Sequence, residues 1–372
     1  MMHVLHIVID LEAGGAERSL VNLLAQSTAG SVRHSVLCLR NLGFFADQAR
    51  ATGACVKRLG VGAATAPFDA LRLRRDVRDA APDIVQGWMY YANLAAWAAV
   101  AGRRAGRRPR LIWGLRCSDM DFSAYSMKLR AAVRLGALLS ASPDAIVANS
   151  HAGVVAHRAI GYGNPTFEVV ENGFDLARFT PVASFEARAE AKRRLGLSGD
   201  DFTCVTVARA DPMKDYATLI ALAARLPHIR FVAVGAGTEA LEGPSNFFGL
   251  GRRRDVPDIL HAADLLVSAS RYGEGMPNAI GEAMASAVPV VATDCGDSRR
   301  MLVDAFDGAA PAGVVTPIGD VESLRAAVQS LWADPERGRA LGRAGRSRAE
   351  SRYSVRANVE AWGRIYQRVM WG

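Results

Sequence analysis

Two doubly wound parallel α/β sheets in tandem are what this sequence predicts, on three observations. Short apolar runs alternate with amphipathic helical stretches along most of the 372 residues. The alternation breaks once, across residues 171–201, and then resumes. The chain is also too long for one ordinary core, since domains run to about 100–200 residues.

In the first half the runs Val4–Ile9, Ser35–Leu39, Ala54–Leu59, Ile84–Gln86, Leu111–Leu115, Ala145–Ala148 and Thr166–Val170 read as strands. Helical patterns lie between them, such as Glu17–Gln26, Phe68–Ala80 and Met127–Leu139. Strands alternating with helices indicate a parallel sheet covered on both faces. Gly173, Pro181 and a charged, Ala-rich helix over Phe185–Leu195 place the domain boundary near residues 173–180. The second series has strands Phe202–Ala208, Arg230–Val234, Asn246–Gly249, Leu265–Ser268, Pro289–Ala292 and Gly313–Val315. Its helices include Tyr216–Arg225, Val256–Ala262, Asn278–Ala287 and Val321–Trp332, and helix continues through Arg339–Ser351 and Val355–Met370. The division is a first domain of residues 1–175, a second of 176–354 and a terminal helix of 355–372. Ligands of such sheets bind beyond the carboxyl ends of the strands, so the loops after strands are where chemistry is expected.

Composition narrows the function class. Five cysteines, an odd number without CxxC spacing, disfavour a disulfide framework or zinc ribbon and suit free thiols in a reducing compartment. The opening MMHVLHIVID lacks a basic leader and its apolar run stops at Asp10 and Glu12, as a first strand would and a signal peptide would not. A spanning helix needs about 20 apolar residues, and the Ala92–Ala101 stretch is half that. The formal charge is +8, and residues 1–172 carry +7 of it. The excess peaks at Arg103, Arg104, Arg107, Arg108 and Arg110. No aromatic-interleaved or zinc-finger pattern points to nucleic acid. A basic stretch beside an apolar helix suits an anionic membrane surface better, so the expected location is the cytoplasm, with peripheral contact at the inner face of the membrane.

Three strand-following loops carry candidate chemistry. The string Glu274-Gly-Met-Pro-Asn-Ala-Ile-Gly-Glu282 follows a strand and opens a helix. Pro277 suits a first helical turn, and the amides of Gly275, Met276 and Asn278 would form an anion site at the positive helix end. Glu282 could accept hydrogen bonds from a diol such as a ribose, and Glu274 from sugar hydroxyls; two surface acids are the plainer reading of that spacing by itself. In Arg209-Ala-Asp-Pro-Met-Lys214, two cations at a strand's carboxyl end could neutralise a diphosphate leaving group. Lysine is rare here, only Lys57, Lys128, Lys192 and Lys214, which favours a special role for Lys214. Gly14-Gly15-Ala-Glu17 lets backbone approach a ligand, or merely turns the chain.

Taken in order, the GGAE loop, Glu171-Asn172-Gly173-Phe174-Asp175, the Arg209–Lys214 stretch and the Glu274–Ala285 string resemble the family-four retaining glycosyltransferases over nearly the whole chain. The resemblance implies the GT-B fold, two facing Rossmann-like domains with a final helix crossing back to the first. It implies that Arg209 and Lys214 bind the donor's diphosphate, Glu282 its ribose, and Glu274 with Gly275, Met276, Pro277 and Asn278 the transferred sugar. Gly14 and Gly15 would close over the donor. Many members carry a histidine where this chain has Arg116; Arg116 is expected to steady the donor, and an arginine cannot be a general base.

The resemblance also implies a nucleotide-sugar donor, a hexosyl group transferred with retention, and a glycan or lipid-linked acceptor in polysaccharide or cell-envelope synthesis. Arg209, Lys214, Glu274 and Arg116 would carry catalysis by stabilising leaving-group charge. Trp88 and Tyr90, in an exposed-looking aromatic cluster after a strand, would hold the acceptor unless they pack against the next helix. No metal or other cofactor is expected: Asp119-Met-Asp121 matches a DxD metal motif of a different glycosyltransferase fold, and the two-domain layout argues against it. Gly235-Ala-Gly237 mimics a dinucleotide fingerprint but lacks the acid that should end the next strand. The rival readings are a phosphorylase or nucleotide-sugar epimerase of the same fold, and an inactive nucleotide-sugar-binding module.

Overall fold

The computed structural model describes all residues except 13, 27–31, 63–65, 103–107, 119–125, 305–307 and 309. The chain divides into two compact units, residues 1–173 with 355–372, and residues 174–354. The change of unit thus comes at Gly173, two residues before the sequence-based division.

The first unit runs β1 (Met2–Val8), α1 (Gly15–Gln26), β2 (Val32–Cys38), α2 (Ala46–Ala51), β3 (Cys55–Arg58), α3 (Ala66–Ala80), β4 (Ile84–Trp88), α4 (Tyr90–Val100), β5 (Arg110–Leu115), α5 (Met127–Leu139), β6 (Ala145–Ala148), α6 (His151–Ala159) and β7 (Phe167–Val169). Helix α14 (Val355–Trp371) completes it. The strands pair in parallel in the order β3-β2-β1-β4-β5-β6-β7. All of β4 is buried and all of β1 but its first residue, as expected of a sheet covered on both faces. One face packs Val4, Val8, Ile112 and Trp88 against Leu20 and Leu24 of α1 and Trp362, Ile365 and Tyr366 of α14. The other packs Leu5, Ile7, Val85, Trp113 and Leu115 against α3, α4 and α5. Helix α4 is apolar nearly all round, because it lies under α3 and α5 as well as on the sheet.

The second unit runs α7 (Phe185–Arg194), β8 (Thr203–Val207), α8 (Tyr216–Arg225), β9 (Arg230–Val234), β10 (Phe247–Gly249), α9 (Val256–Ala262), β11 (Leu265–Ser268), α10 (Asn278–Ala285), β12 (Val290–Thr293), α11 (Ser298–Leu302), β13 (Gly313–Thr316), α12 (Val321–Ala333) and α13 (Pro335–Arg352). Its strands are again parallel, ordered β10-β9-β8-β11-β12-β13. Arg346 of α13 ties three chain segments together by donating to the carbonyls of Phe179 (2.8 Å), Ala285 (2.5 Å) and Leu176 (3.5 Å).

Each sheet has one point where the strand order reverses, β1/β4 in the first and β8/β11 in the second. That crevice is where doubly wound sheets bind ligands. The α/β class read from the sequence is the observed one. Helices α2, α6 and α11, all short, were not anticipated.

Candidate active site

In the second unit, the loop after β8 and the loop after β11 meet at the switch point. Arg271 N donates to Met213 O at 2.8 Å, joining them. After β8 the chain makes a 3-10 turn over Pro212–Lys214, capped by Asp211, whose carboxylate accepts from Met213 N at 3.1 Å. Asp215 follows in the left-handed region, φ 48°, a conformation a short polar side chain tolerates. Its carboxylate caps α8 by accepting from Thr218 N (3.2 Å) and Thr218 Oγ1 (2.7 Å). This double cap fixes the direction in which Lys214 leaves the turn.

The Lys214 ammonium donates to Glu274 Oε1, which also accepts from Ser270 Oγ at 2.7 Å. Glu274 is 8% exposed and Glu282 3%, so the surface-acid reading fails. Carboxylates are seldom buried so deeply unless they are paired. The segment 273–277 is buried throughout, rather than presenting an open loop. Two features hold it. Asp297 N donates to Gly275 O at 2.9 Å. Gly296, at φ 59°, lies so close that a Cβ there would sit 2.5 Å from the carbonyl oxygens of Glu274 and Gly275. Pro277 is the N-cap of α10 and not its first helical residue. Inside α10, a Cβ on Gly281 would lie 2.0 Å from the Phe174 ring, so only glycine lets the helix pack there.

Arg209 stands apart from this cluster. Its side chain is 56% exposed and pairs with Asp211 at 3.0 Å. The chain after β9 is closed on itself: Gly235 N donates to Gly251 O at 2.9 Å, and Thr238 N to Gly235 O at 3.2 Å. Those amides are committed to backbone partners, unlike the phosphate-facing amides of a dinucleotide loop.

In the first unit, Gly14 O accepts from Arg18 N at 3.1 Å as α1 begins, and neither Gly14 nor Gly15 has a positive φ. Arg116, just past β5, lies with its Cζ 4.4 Å from the centre of the Trp88 ring. Its Nη1 donates to Asn172 Oδ1 at 2.6 Å, and Ser19 Oγ of α1 donates to the same oxygen at 3.3 Å. Burial pulls the Arg116 pKa down to about 10, against the opposing pull of Glu17 and Tyr366. The group therefore stays cationic at neutral pH.

Trp88 and Tyr90 are each 3% exposed. They offer no face to an acceptor, which corrects the sequence-based assignment. The strand end looked open because the sequence could not show α14 covering it: Trp362 of α14 lies 6.0 Å from Trp88, ring to ring. Asp119, Asp121, Arg103, Arg104 and Arg107 lie outside the described residues. Arg108 and Arg110 both pair with Asp144, at 3.5 and 3.0 Å. Among the described residues no group of three or more His, Cys, Asp or Glu could hold a metal ion, and no helix is long and apolar enough to cross a membrane.

Ser270 and Asn172 were missed as candidates. Asn172 stands in a quoted motif, but nothing in the sequence couples it to Arg116. Ser270 had no signal beyond following a strand.

Comparison with known proteins matches the two units to two sequence families. Glycosyltransferase Family 4 covers residues 13–178 and Glycosyl transferases group 1 covers residues 187–348. The chain is a group 1 glycosyltransferase. This glycosyltransferase is 26% identical to EpsF of Bacillus subtilis (strain 168), over 98% of this chain and 96% of EpsF. It is 30% identical, over 51% of this chain and 53% of the relative, to a GDP-mannose-dependent monoacylated alpha-(1-6)-phosphatidylinositol monomannoside mannosyltransferase of Corynebacterium glutamicum. The match spans about half the length of several such curated relatives. Among solved structures it resembles Anabaena Alr3699/HepE in complex with UDP-glucose, at TM-score 0.84 and 19% identity over 99% of this chain and 100% of that one. The glycosyltransferase therefore has the GT-B fold.

Proposed function

We propose that this glycosyltransferase moves a hexosyl group from a nucleotide-diphosphate sugar to a glycan or lipid-linked acceptor in polysaccharide or cell-envelope synthesis, with retention at the anomeric carbon. The observation that carries the reading is the cluster of half-buried Lys214 with buried Glu274 and Ser270 at the β8/β11 switch point. An ammonium has three protons, so bonding to Glu274 leaves Lys214 donors for a diphosphate. Glu274 would accept from sugar hydroxyls and Glu282 from the ribose, while Gly275, Met276, Pro277 and Asn278 shape the sugar site at the start of α10. The UDP-glucose bound by HepE and the phosphatidylinositol mannoside named for the Corynebacterium relative support the donor and acceptor classes.

In the proposed step the bond between anomeric carbon and diphosphate oxygen breaks while the acceptor oxygen bonds to the same face. The acceptor's proton passes to the departing diphosphate. Lys214 and Arg209 stabilise the charge that develops there, usually the largest single contribution to such catalysis. Arg116 and the Gly14–Gly15 loop bind the donor from the first unit. No metal takes part, so turnover survives EDTA. NMR of the product tests the stereochemistry; an inverted linkage contradicts the reading. The protein works in the cytoplasm, and the Arg103–Arg110 segment touches anionic lipid at the inner membrane face. Sedimentation with phosphatidylglycerol vesicles tests that contact, and unchanged partitioning after neutralising the segment contradicts it.

A further inference from the structure

Two buried histidine-ended chains of hydrogen bonds converge on adjacent residues at the end of β5. The first lies under Arg116. Trp88 Nε1 bonds His6 Nδ1 at 3.1 Å, and His6 Nε2 bonds His34 Nδ1 at 2.8 Å. An indole nitrogen only donates, so His6 Nδ1 is the acceptor and its proton sits on Nε2, which donates to His34. The rings of His6 and His34 stack at 5.1 Å. The direction of every bond in this chain is therefore fixed, and the indole cannot turn without breaking it.

The second chain lies under Cys117. His157 Nδ1 contacts Gly153 O at 2.7 Å, and a carbonyl only accepts, so that nitrogen carries the proton. His157 Nε2 then accepts from the Tyr90 hydroxyl at 2.8 Å, and the Tyr90 oxygen accepts a hydrogen bond from the Cys117 thiol at 3.1 Å. The Tyr90, Cys117 and His157 side chains are all buried, as are those of His6, His34 and Trp88. Between the chains, Arg116 N donates to Met89 Sδ at 3.2 Å.

We propose that His6 and Tyr90 are positioning residues for Arg116: His6 locks the indole on which the guanidinium rests, and Tyr90 locks the next residue, so the side chain leaves β5 in one direction. Asn172, bonded to Ser19, sets the remaining edge of the guanidinium. This assigns work to Trp88 and Tyr90 that needs no contact with an acceptor. It rests on the reading in which Arg116 binds the donor.

Arginine-selective labelling of the full chain for NMR tests it without a substrate. The guanidinium of Arg116, assigned by its disappearance in Arg116→Lys, should resonate upfield of the exposed arginines because it sits over an indole ring. In His6→Leu and in Tyr90→Phe that resonance should move toward the exposed-arginine position. The signal of Arg348, which bonds Met301 and Ala310 in the other unit, should stay in place. Tyr90→Phe keeps the ring and its packing, so it separates positioning from folding. An Arg116 resonance unmoved in both variants overturns the proposal. Full sugar-transfer activity in Arg116→Lys would instead overturn the reading on which it rests.

Discussion

Lys214 and Glu274, sixty residues apart in the chain, are joined by a hydrogen-bonded ion pair on the carboxyl side of adjacent strands. The pair is mostly buried, so removing one member strands the other. Truncating one partner of a buried pair costs about 3–5 kcal/mol; with Lys214 still 19% exposed, about 2 kcal/mol is expected for Lys214→Ala. Glu274→Gln keeps an acceptor for Ser270 and should cost less. Urea unfolding checks the order. Both variants should lose sugar transfer by about 100-fold or more, the scale for deleting one charge-stabilising group.

Arg116 should contribute through its charge and its fork of donors together. Arg116→Lys retains the charge but cannot both bond Asn172 and lie flat on Trp88. Steady-state kinetics should give a fall in kcat of about 10-fold or more. Unchanged kcat would contradict a role at the donor.

Gly281→Ala should destabilise the second unit by about 1–3 kcal/mol, the usual cost of overpacking, because the added methyl would meet the Phe174 ring. Phe174→Leu in the same chain should recover part of the loss. Chemical denaturation of the single and double variants measures this.

Stability should fall on mild acidification. Burial lowers the pKa of His6, and it lowers that of His34 to about 4 with help from His3. The unfolded chain takes up these protons near pH 6.5 while the folded chain resists. The unfolded state therefore binds more protons in that window, and stability rises with pH. Between pH 7 and pH 4.5 the loss from His34 alone is about 2–3 kcal/mol. Unfolding free energies measured across that range should slope less in His34→Phe; an unchanged slope would contradict the assignment.

The alternation of apolar runs and amphipathic stretches was enough to read the two α/β units, because parallel strands buried on both faces leave a long apolar signature. Helix α10 with Glu282, and Glu274 in the loop before it, were also legible, since the string around them is dense in glycine and acid. Pairing was not. Nothing local in the sequence says that Lys214 bonds Glu274, that α14 roofs Trp88, or that Asn172 reaches Arg116, for each joins segments distant in the chain. The few lysines are placed unlike most of the arginines: Lys192 is buried and pairs with Asp264 at 2.7 Å, and Lys214 is half-buried against Glu274. Where arginine is the default cation, two of the four lysines occupy sites that need a compact charge.

The most direct test of the donor site is a thermal-shift screen of the intact protein against UDP, GDP, ADP, CMP and NAD, repeated on Lys214→Ala. A ligand that binds only the folded state raises its melting temperature. One nucleoside diphosphate should raise Tm in the wild type and fail to do so in Lys214→Ala. A shift with NAD alone, or none with any diphosphate, would contradict a nucleotide-sugar site built around Lys214 and Glu274.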